Sequence, residues 1–326
     1  MRQFELQRDL RPLADLIELS FKDELDGADA RVVAEMRRMA DTGPLLWLFG
    51  GYLAALSRFM RGYVWIEDGC LVGNVTLSLE NGKRGLWTIS NVAVHLDHRG
   101  RGLARRLVSA ALNEARDEGG RWIMLEVRAD NPGARHVYEA LGFELYDTVA
   151  EMNLPAREWK EWSASPLPLR RRRAQDWQSL DKLYKEVTPS KLQEFRPIPP
   201  ARYRLGLDDR LNQWMDDLLQ RRTRGDWVLE EHGEVAAFLQ VVGYRSRAPH
   251  RLEMAVRPDK RGSVEVDLLE AGLRQLARYP RRNVEAKVSL SHAEAHKAYQ
   301  AAGFLAVRVL DQMRLDLRHP KGRVLP

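Results

Sequence analysis

Arg99-Gly100-Arg101-Gly102-Leu103-Ala104 and the block from Asn131 to Phe143, Asn-Pro-Gly-Ala-Arg-His-Val-Tyr-Glu-Ala-Leu-Gly-Phe, decide how this chain is read. Leu86–Val94, ahead of the first block, reads as a largely buried strand. Leu103, Leu107, Val108, Ala111, Leu112 and Ala115 follow with helical spacing, and Gly119-Gly120 stops that helix. A strand, a basic glycine-containing loop and a helix start make an anion site, because free backbone N–H groups and the positive end of the helix dipole face one point. Gly102 and Ala104 carry almost no side chain, which lets the backbone approach a phosphate. A plain turn is the competing reading. The loop is not a P-loop, since no Gly-Lys-Ser/Thr follows, and Arg105 spoils the dinucleotide fingerprint. In the second block Asn131 is an N-cap with Pro132 at the first helical position. Helical spacing puts Asn131, Ala134 and Tyr138 on one face, where Tyr138 alone would read as a half-buried core residue.

Phe4–Leu6 reads as a short strand, and Leu10–Leu19 and Ala28–Ala40 as helices. Tyr63–Glu67 and Leu71–Leu79 flank Asp68-Gly69, a hairpin signal. Trp122–Val127 is a buried strand, and Phe143–Met152 supplies closing strands. The apolar stretch Leu45–Leu56 reads as a buried helix, with an acceptor-pocket wall or a membrane-surface contact as alternatives. Strands alternating with helices give an α/β domain with a mixed sheet.

The pattern then recurs. Tyr138-Glu139-Ala140-Leu141-Gly142-Phe143 returns as Tyr299-Gln300-Ala301-Ala302-Gly303-Phe304, and Val94 to Gly100 returns as Val256 to Gly262. Val64 to Gly69 parallels Val228 to Gly233. A domain-sized period means two copies of one domain rather than a solenoid. The expected division is 1–154, a linker at 155–167 rich in Pro, Ser and Trp, and 168–326.

With 326 residues, 44% hydrophobic and 30% charged, the chain suits two globular domains and excludes a disordered one. No apolar run is long enough to span a membrane, and no secretion signal opens the chain. A single cysteine, Cys70, excludes an internal disulfide and a cysteine-based metal site, so no metal is expected and the cytoplasm is the expected compartment. Residues 1–150 hold 19 basic and 22 acidic side chains, and the remainder 33 and 24. The basic second half and Arg170-Arg171-Arg172-Arg173 suggest a polyanion surface, but aromatics are sparse there and a solvated strand end explains the run. Nucleic acid is therefore not an expected partner.

Together the two quoted blocks resemble the GCN5-related N-acetyltransferase (GNAT) superfamily, over about Phe4–Leu154 and more weakly over Pro168–Leu317. The resemblance implies two tandem GNAT-type domains, each a mixed, centrally splayed sheet flanked by helices, with acetyl-CoA in the opening. It implies that the main chain of Val92, Ala93 and Val94 holds the pantetheine and thioester carbonyl, that Arg99, Gly100, Arg101, Gly102, Leu103 and Ala104 cradle the pyrophosphate, and that Asn131 contacts the pantetheine arm. Ala134 shares the cofactor-facing side of that helix, and Tyr138 would face the CoA sulfur. Glu126, in a stretch similar to ribosomal-protein alanine N-acetyltransferases, is the implied general base. Pairing with Arg128 or Arg121 is its structural alternative. Ser90 and Asn91 line the same cleft or serve strand packing, and His95 and His98 border the loop as structural residues.

The expected activity is direct transfer of acetyl from acetyl-CoA to a primary amine of a small molecule or a peptide N-terminus. The alternatives are a non-catalytic acyl-CoA-binding regulatory protein and a ribosome- or RNA-directed protein acetyltransferase. In the second copy Val264, Glu265 and Val266 stand where Gly102, Leu103 and Ala104 do, His292 replaces Asn131, and Lys287 replaces Glu126. That copy is expected to be degenerate, with roles in completing the acceptor cleft, stabilising the first copy or binding a regulator. The Pro-rich stretch Phe195–Pro200 is expected to be a loop reaching over a cleft.

Overall fold

The computed structural model describes residues 1–20, 27–41, 61–80, 85–162, 166–196, 204 and 214–318. Leu45–Leu56 and Pro197–Pro200 lie outside the described residues. The chain forms two compact units. Unit 1 comprises Met1–Val127, Asn131–Leu145 and Gln312–Pro326, and unit 2 comprises Arg128–Asp130 and Tyr146–Asp311.

In unit 1, strands β1 (Arg2–Gln3), β2 (Arg61–Glu67), β3 (Cys70–Leu79), β4 (Leu86–Val94) and β5 (Trp122–Arg128) follow one another across the sheet. Antiparallel pairing runs from β1 to β4, and β4 to β5 is parallel. Helices α1 (Leu6–Ser20), α2 (Gly27–Asp41), α3 (Leu103–Asp117) and α4 (Pro132–Ala140) complete it. Alternation within β3 and β4 puts Val75, Leu77, Trp87 and Ile89 against Leu107, Val108, Leu112 and Ala115 of α3. Gly73 lets α3 come close: a Cβ there would sit 3.0 Å from the Leu107 Cδ1. The expected strand Phe4–Leu6 is displaced to Arg2–Gln3. Asp9, buried at the first turn of α1, accepts the Glu5 N–H at 2.8 Å and two Arg2 bonds at 2.6 Å, which starts the helix at Leu6.

The stretch Phe143–Met152 forms part of a single strand, β6 (Glu144–Leu154), where the sequence suggested several. The edge of β5 is covered instead by the end of the chain's last strand, β12 (Leu305–Asp316). Met313, Leu315 and Leu317 are buried in the core of unit 1. The Leu317 N–H donates to the Arg121 carbonyl at 2.9 Å. The sequence halves at 154 and 168 count the repeat along the chain, whereas compactness in space assigns Tyr146–Leu154 to unit 2 and Gln312 onward to unit 1.

In unit 2 the sheet order is β12, β6, β11 (Val284–Ser289), β10 (His250–Val256), β9 (Glu234–Tyr244), β8 (Arg222–Glu231) and β7 (Arg170–Arg171). Helices α5 (Trp177–Val187), α6 (Ser190–Phe195), α7 (Glu265–Leu276) and α8 (Ala293–Ala301) accompany it. The segment after Leu154 packs into this unit: Trp159 joins its core and donates to the Arg282 carbonyl at 2.9 Å. The side chains of Arg170, Arg171 and Arg172 are engaged locally. Arg170 makes two 2.8 Å bonds to Asp176, Arg171 stacks 4.1 Å over Trp227, and Arg172 pairs with Asp226. No described helix is long and apolar enough to cross a membrane.

His250 is fully buried, accepting the Tyr244 N–H at 3.0 Å on Nδ1 while Nε2 meets the Pro280 carbonyl at 2.9 Å. Both bonds are satisfied only by the neutral ring. Burial pushes its pKa down, against the Pro280 bond.

Two stability outcomes follow from these cores. Met313→Ala should destabilise unit 1 by about 2–5 kcal/mol, measured by urea unfolding; an unchanged midpoint would place Met313 outside that core. Acidification should weaken unit 2 as the unfolded imidazole takes up a proton near 6.5 while the folded one does not. The loss should continue until pH reaches the lower folded value, and His250→Phe should flatten this pH dependence of thermal unfolding.

Candidate active site

Strands β4 and β5 pair at Leu86–Trp122, Trp87–Ile123 and Thr88–Met124, and then share no further partner. From Ile89 onward the two strands part, and the backbone groups facing the gap lack a strand partner there. On its other side β4 bulges: its register against β3 slips between Asn74 and Thr76, opposite Ser90–Ala93. Asn91 takes φ +50° at the bulge, a left-handed conformation that asparagine tolerates better than most residues. The buried Asn74 pins it, donating to the Asn91 carbonyl at 2.9 Å and to the Thr76 hydroxyl at 3.3 Å. Val92, Ala93 and Val94 follow the bulge directly, on the stretch of β4 that borders the gap. Asn91 is thus a bulge residue that positions this stretch. Asparagine inside a strand-like sequence was the available signal.

The basic loop follows. His95 accepts the Asp97 N–H on Nδ1 at 3.3 Å and so shapes the turn. Arg99 donates to the Val94 and Ser20 carbonyls, both at 3.2 Å. Gly100 and Gly102 take φ +76° and +74°, and a Cβ at either would meet nothing within 4 Å. The glycines are therefore required by backbone conformation, where the sequence suggested close approach. Gly102 is the N-cap of α3 and supplies no side-chain cap, so the first amides of the helix stay open to an anion. Arg99, Arg101, Arg105 and Arg106 are all exposed around this end. Glu67, which the sequence did not single out, bonds Arg101 at 2.8 and 3.0 Å and lies 3.4 Å from His98. The Arg101 hydrogen bond holds the Glu67 carboxyl below the usual range.

Helix α4 begins as expected: the Asn131 Oδ1 accepts the Ala134 N–H at 3.0 Å. Its amide nitrogen has no partner among the described residues. Tyr138 is 6% exposed, its ring edge-on to Phe143 at 5.9 Å. Its hydroxyl makes no hydrogen bond among the described residues, and burial pushes its pKa up to about 12. Glu126 is exposed on β5 and its Oε1 accepts from the Gln312 amide at 3.0 Å. Gln312 is the partner, in place of the Arg128 or Arg121 that the sequence suggested; Arg128 pairs with Asp130 at 2.6 Å.

Unit 2 repeats the frame without these details. Strands β10 and β11 pair only at His250–Val284 and Arg251–Glu285. Strand β10 stays in continuous register with β9 from Arg251 to Val256, without a bulge. Val264, the N-cap of α7, has φ −127°. Lys287 pairs with Glu151 at 2.6 Å. Tyr299 is fully enclosed, and burial raises its pKa strongly.

A parallel strand pair that splays beside a bulge, its first strand leading into a basic helix N-terminus, defines a GNAT-type fold and site. The Acetyltransferase (GNAT) family profile matches residues 30–143. The L-amino acid N-acyltransferase MnaT of Escherichia coli (strain K12) is 30% identical over 128 residues, covering 34% of this chain and 74% of that protein. Mycothiol acetyltransferase of Rhodococcus jostii (strain RHA1) is 46% identical over 118 residues, covering 36% of each chain. A GCN5-related N-acetyltransferase from Sphaerobacter thermophilus superposes with a TM-score of 0.65 at 18% identity, over 98% of this chain and 95% of that one. A tandem GNAT protein from the clavulanic acid biosynthesis pathway gives 0.56 at 16%, over 98% of both. The chain belongs to the GNAT acetyltransferase family and is an N-acetyltransferase, with the fold of tandem GNAT proteins.

With open space at its Cβ position, Gly102→Ala should cost only backbone strain, roughly 1–2 kcal/mol for a left-handed alanine. Urea unfolding measures it, and a cost near zero would mean that the loop does not need the left-handed N-cap.

Proposed function

We propose that unit 1 transfers acetyl from acetyl-CoA to a primary amine of a small molecule or a peptide N-terminus. The observation that carries this reading is the splay from β5 of β4, the strand that leads through the basic loop into the uncapped N-terminus of α3. The residues fit such a co-substrate. Open amides at Leu103 and Ala104, the left-handed Gly100 and Gly102, and the Arg99 and Arg101 side chains suit a diphosphate. The unpaired edge of Val92, Ala93 and Val94 suits an extended arm and its carbonyl, as a strand suits a strand. Asn131 offers its amide nitrogen, and Ala134 leaves room on the same helix face.

Bound acetyl-CoA supplies an acetyl group already activated as a thioester. Backbone N–H groups at Val92–Val94 polarise its carbonyl. The Tyr138 hydroxyl, without a partner among the described residues, donates a hydrogen bond where the thiolate develops. With the phenol near 12 and a thiol near 8.5, full proton transfer from Tyr138 would cost roughly 5 kcal/mol. Tyr138 therefore keeps its proton and stabilises by hydrogen bonding. Glu126, held by Gln312, takes the amine proton directly or through a water. An α-amine near 7.7 is roughly 15% neutral at pH 7, so one weak base suffices.

Two relatives' names favour such acceptors: an L-amino acid, and an alanine of ribosomal protein bS18 in an enzyme 41% identical over 56 residues. The alignments cover 36% of the mycothiol enzyme and 38% of the bS18 enzyme, so the acceptor itself belongs to this proposal. The exposed, unpaired Cys70 suits a reducing cytoplasm.

Tyr138→Phe keeps the packing against Phe143 and should lower kcat at least tenfold with little change in the KM for acetyl-CoA. Retention of full turnover would remove Tyr138 from the chemistry. Because its hydroxyl stays protonated well above pH 9, no loss of kcat between pH 7 and 9 should trace to Tyr138. Glu126→Gln should depress kcat most at low pH, where the neutral amine is scarcest; equal rates across pH would exclude it as the base.

A further inference from the structure

Unit 2 keeps the loop and helix start of the anion site but places a carboxylate inside it. Glu265, the first residue of α7, stands at the position of Leu103 and is only 2% exposed. Its Oε2 accepts the Gly262 N–H at 2.9 Å and the Val264 N–H at 3.3 Å. Its Oε1 meets His292 Nε2 at 2.9 Å. Gly262 retains φ +82°, the counterpart of Gly100, so the loop still turns its amides inward. His292 stands where unit 1 has Asn131, the N-cap of the following helix, and makes no cap bond of its own.

We propose that Glu265 is a built-in occupant of the diphosphate site of unit 2, locked by His292, so that this unit binds no CoA and needs none to order its loop. One oxygen, Oε2, takes the Gly262 and Val264 amide donors while Oε1 holds His292, and the helix N-terminus receives its negative charge from within the chain. Burial alone would push the Glu265 carboxyl up, but the His292 bond and the backbone N–H groups outweigh it and leave the carboxyl below its ordinary range. The site therefore stays charged and filled at neutral pH. Two further changes agree with a unit that has given up the cofactor: the unbulged β10 and the enclosed Tyr299.

The site is latent, and removal of the side chain should open it to a free diphosphate. Full-length protein is titrated with inorganic pyrophosphate by calorimetry. Glu265→Ala and Glu265→Leu, the latter restoring the residue type of unit 1, should each bind one more pyrophosphate per chain than the unaltered protein. Equal stoichiometry in a variant that circular dichroism shows to be folded overturns the proposal. Should neither variant fold, the unaltered protein decides. The amide resonances of Gly262 and Val264 should then follow a single carboxylate titration on acidification, and a flat response overturns the proposal.

The comparison is a difference between variant and unaltered protein, so it does not depend on unit 1 working as proposed. Titration with acetyl-CoA tests that part. One site per chain is expected, and none refutes the function proposed for unit 1 while leaving the Glu265 comparison intact. Two sites overturn the built-in occupant.

Discussion

Backbone amides inside a sheet need partners, and β4 and β5 stop supplying them to each other after three residue pairs. That early parting is what the rest of unit 1 is arranged around. The bulge at Asn91, pinned by Asn74, turns the departing strand. The glycine N-cap directs α3 so that its uncapped amides lie at the end of the same strand. Buried apolar residues on β3, β4 and α3 hold the layers in place, so the polar edge can remain open without loosening the core. A fully paired sheet would be more uniform and would have no place to receive an extended, hydrogen-bonding substrate.

Much of this was legible in the sequence, and the reasons are local. Helical periodicity from Leu103 to Ala115 and the Asn131-Pro132 start gave α3 and α4 to within a residue. Neighbouring residues determine such features. The origin of β12 in unit 1 was not legible, because no local pattern in Gln312–Leu317 says which sheet it joins. The bulge was legible only as an asparagine inside a strand-like run. A strand reading of Ser90-Asn91-Val92 is correct along the chain, and only the register against β3 reveals the extra residue. For Glu126 the sequence offered an arginine partner close in number, whereas space supplied Gln312 from the far end of the chain.

The two units also show how little separates an open site from a closed one. Gly102 is left-handed and Val264 is not. Leu103 points an apolar side chain into the core, and Glu265 turns a carboxylate onto its own loop. The packing positions are meanwhile preserved, with Tyr138 and Phe143 edge-on in one unit and Tyr299 and Phe304 edge-on in the other. Duplication thus leaves the hydrophobic frame under constraint in both copies, since each must fill its interior. The polar loop is free to change wherever no ligand has to be held.

The borrowed strand has a consequence for how the molecule is made. Leu145 and Gln312 belong to the same compact unit, yet the ribosome emits Tyr146–Asp311, nearly all of unit 2, between them. Until Met313, Leu315 and Leu317 emerge, the edge of β5 and the apolar surface they cover have no permanent partner. Unit 1 therefore begins folding first and finishes last. A nascent chain stalled partway through unit 2 would display an unsealed sheet edge, the kind of surface on which chaperones act and at which copies mispair.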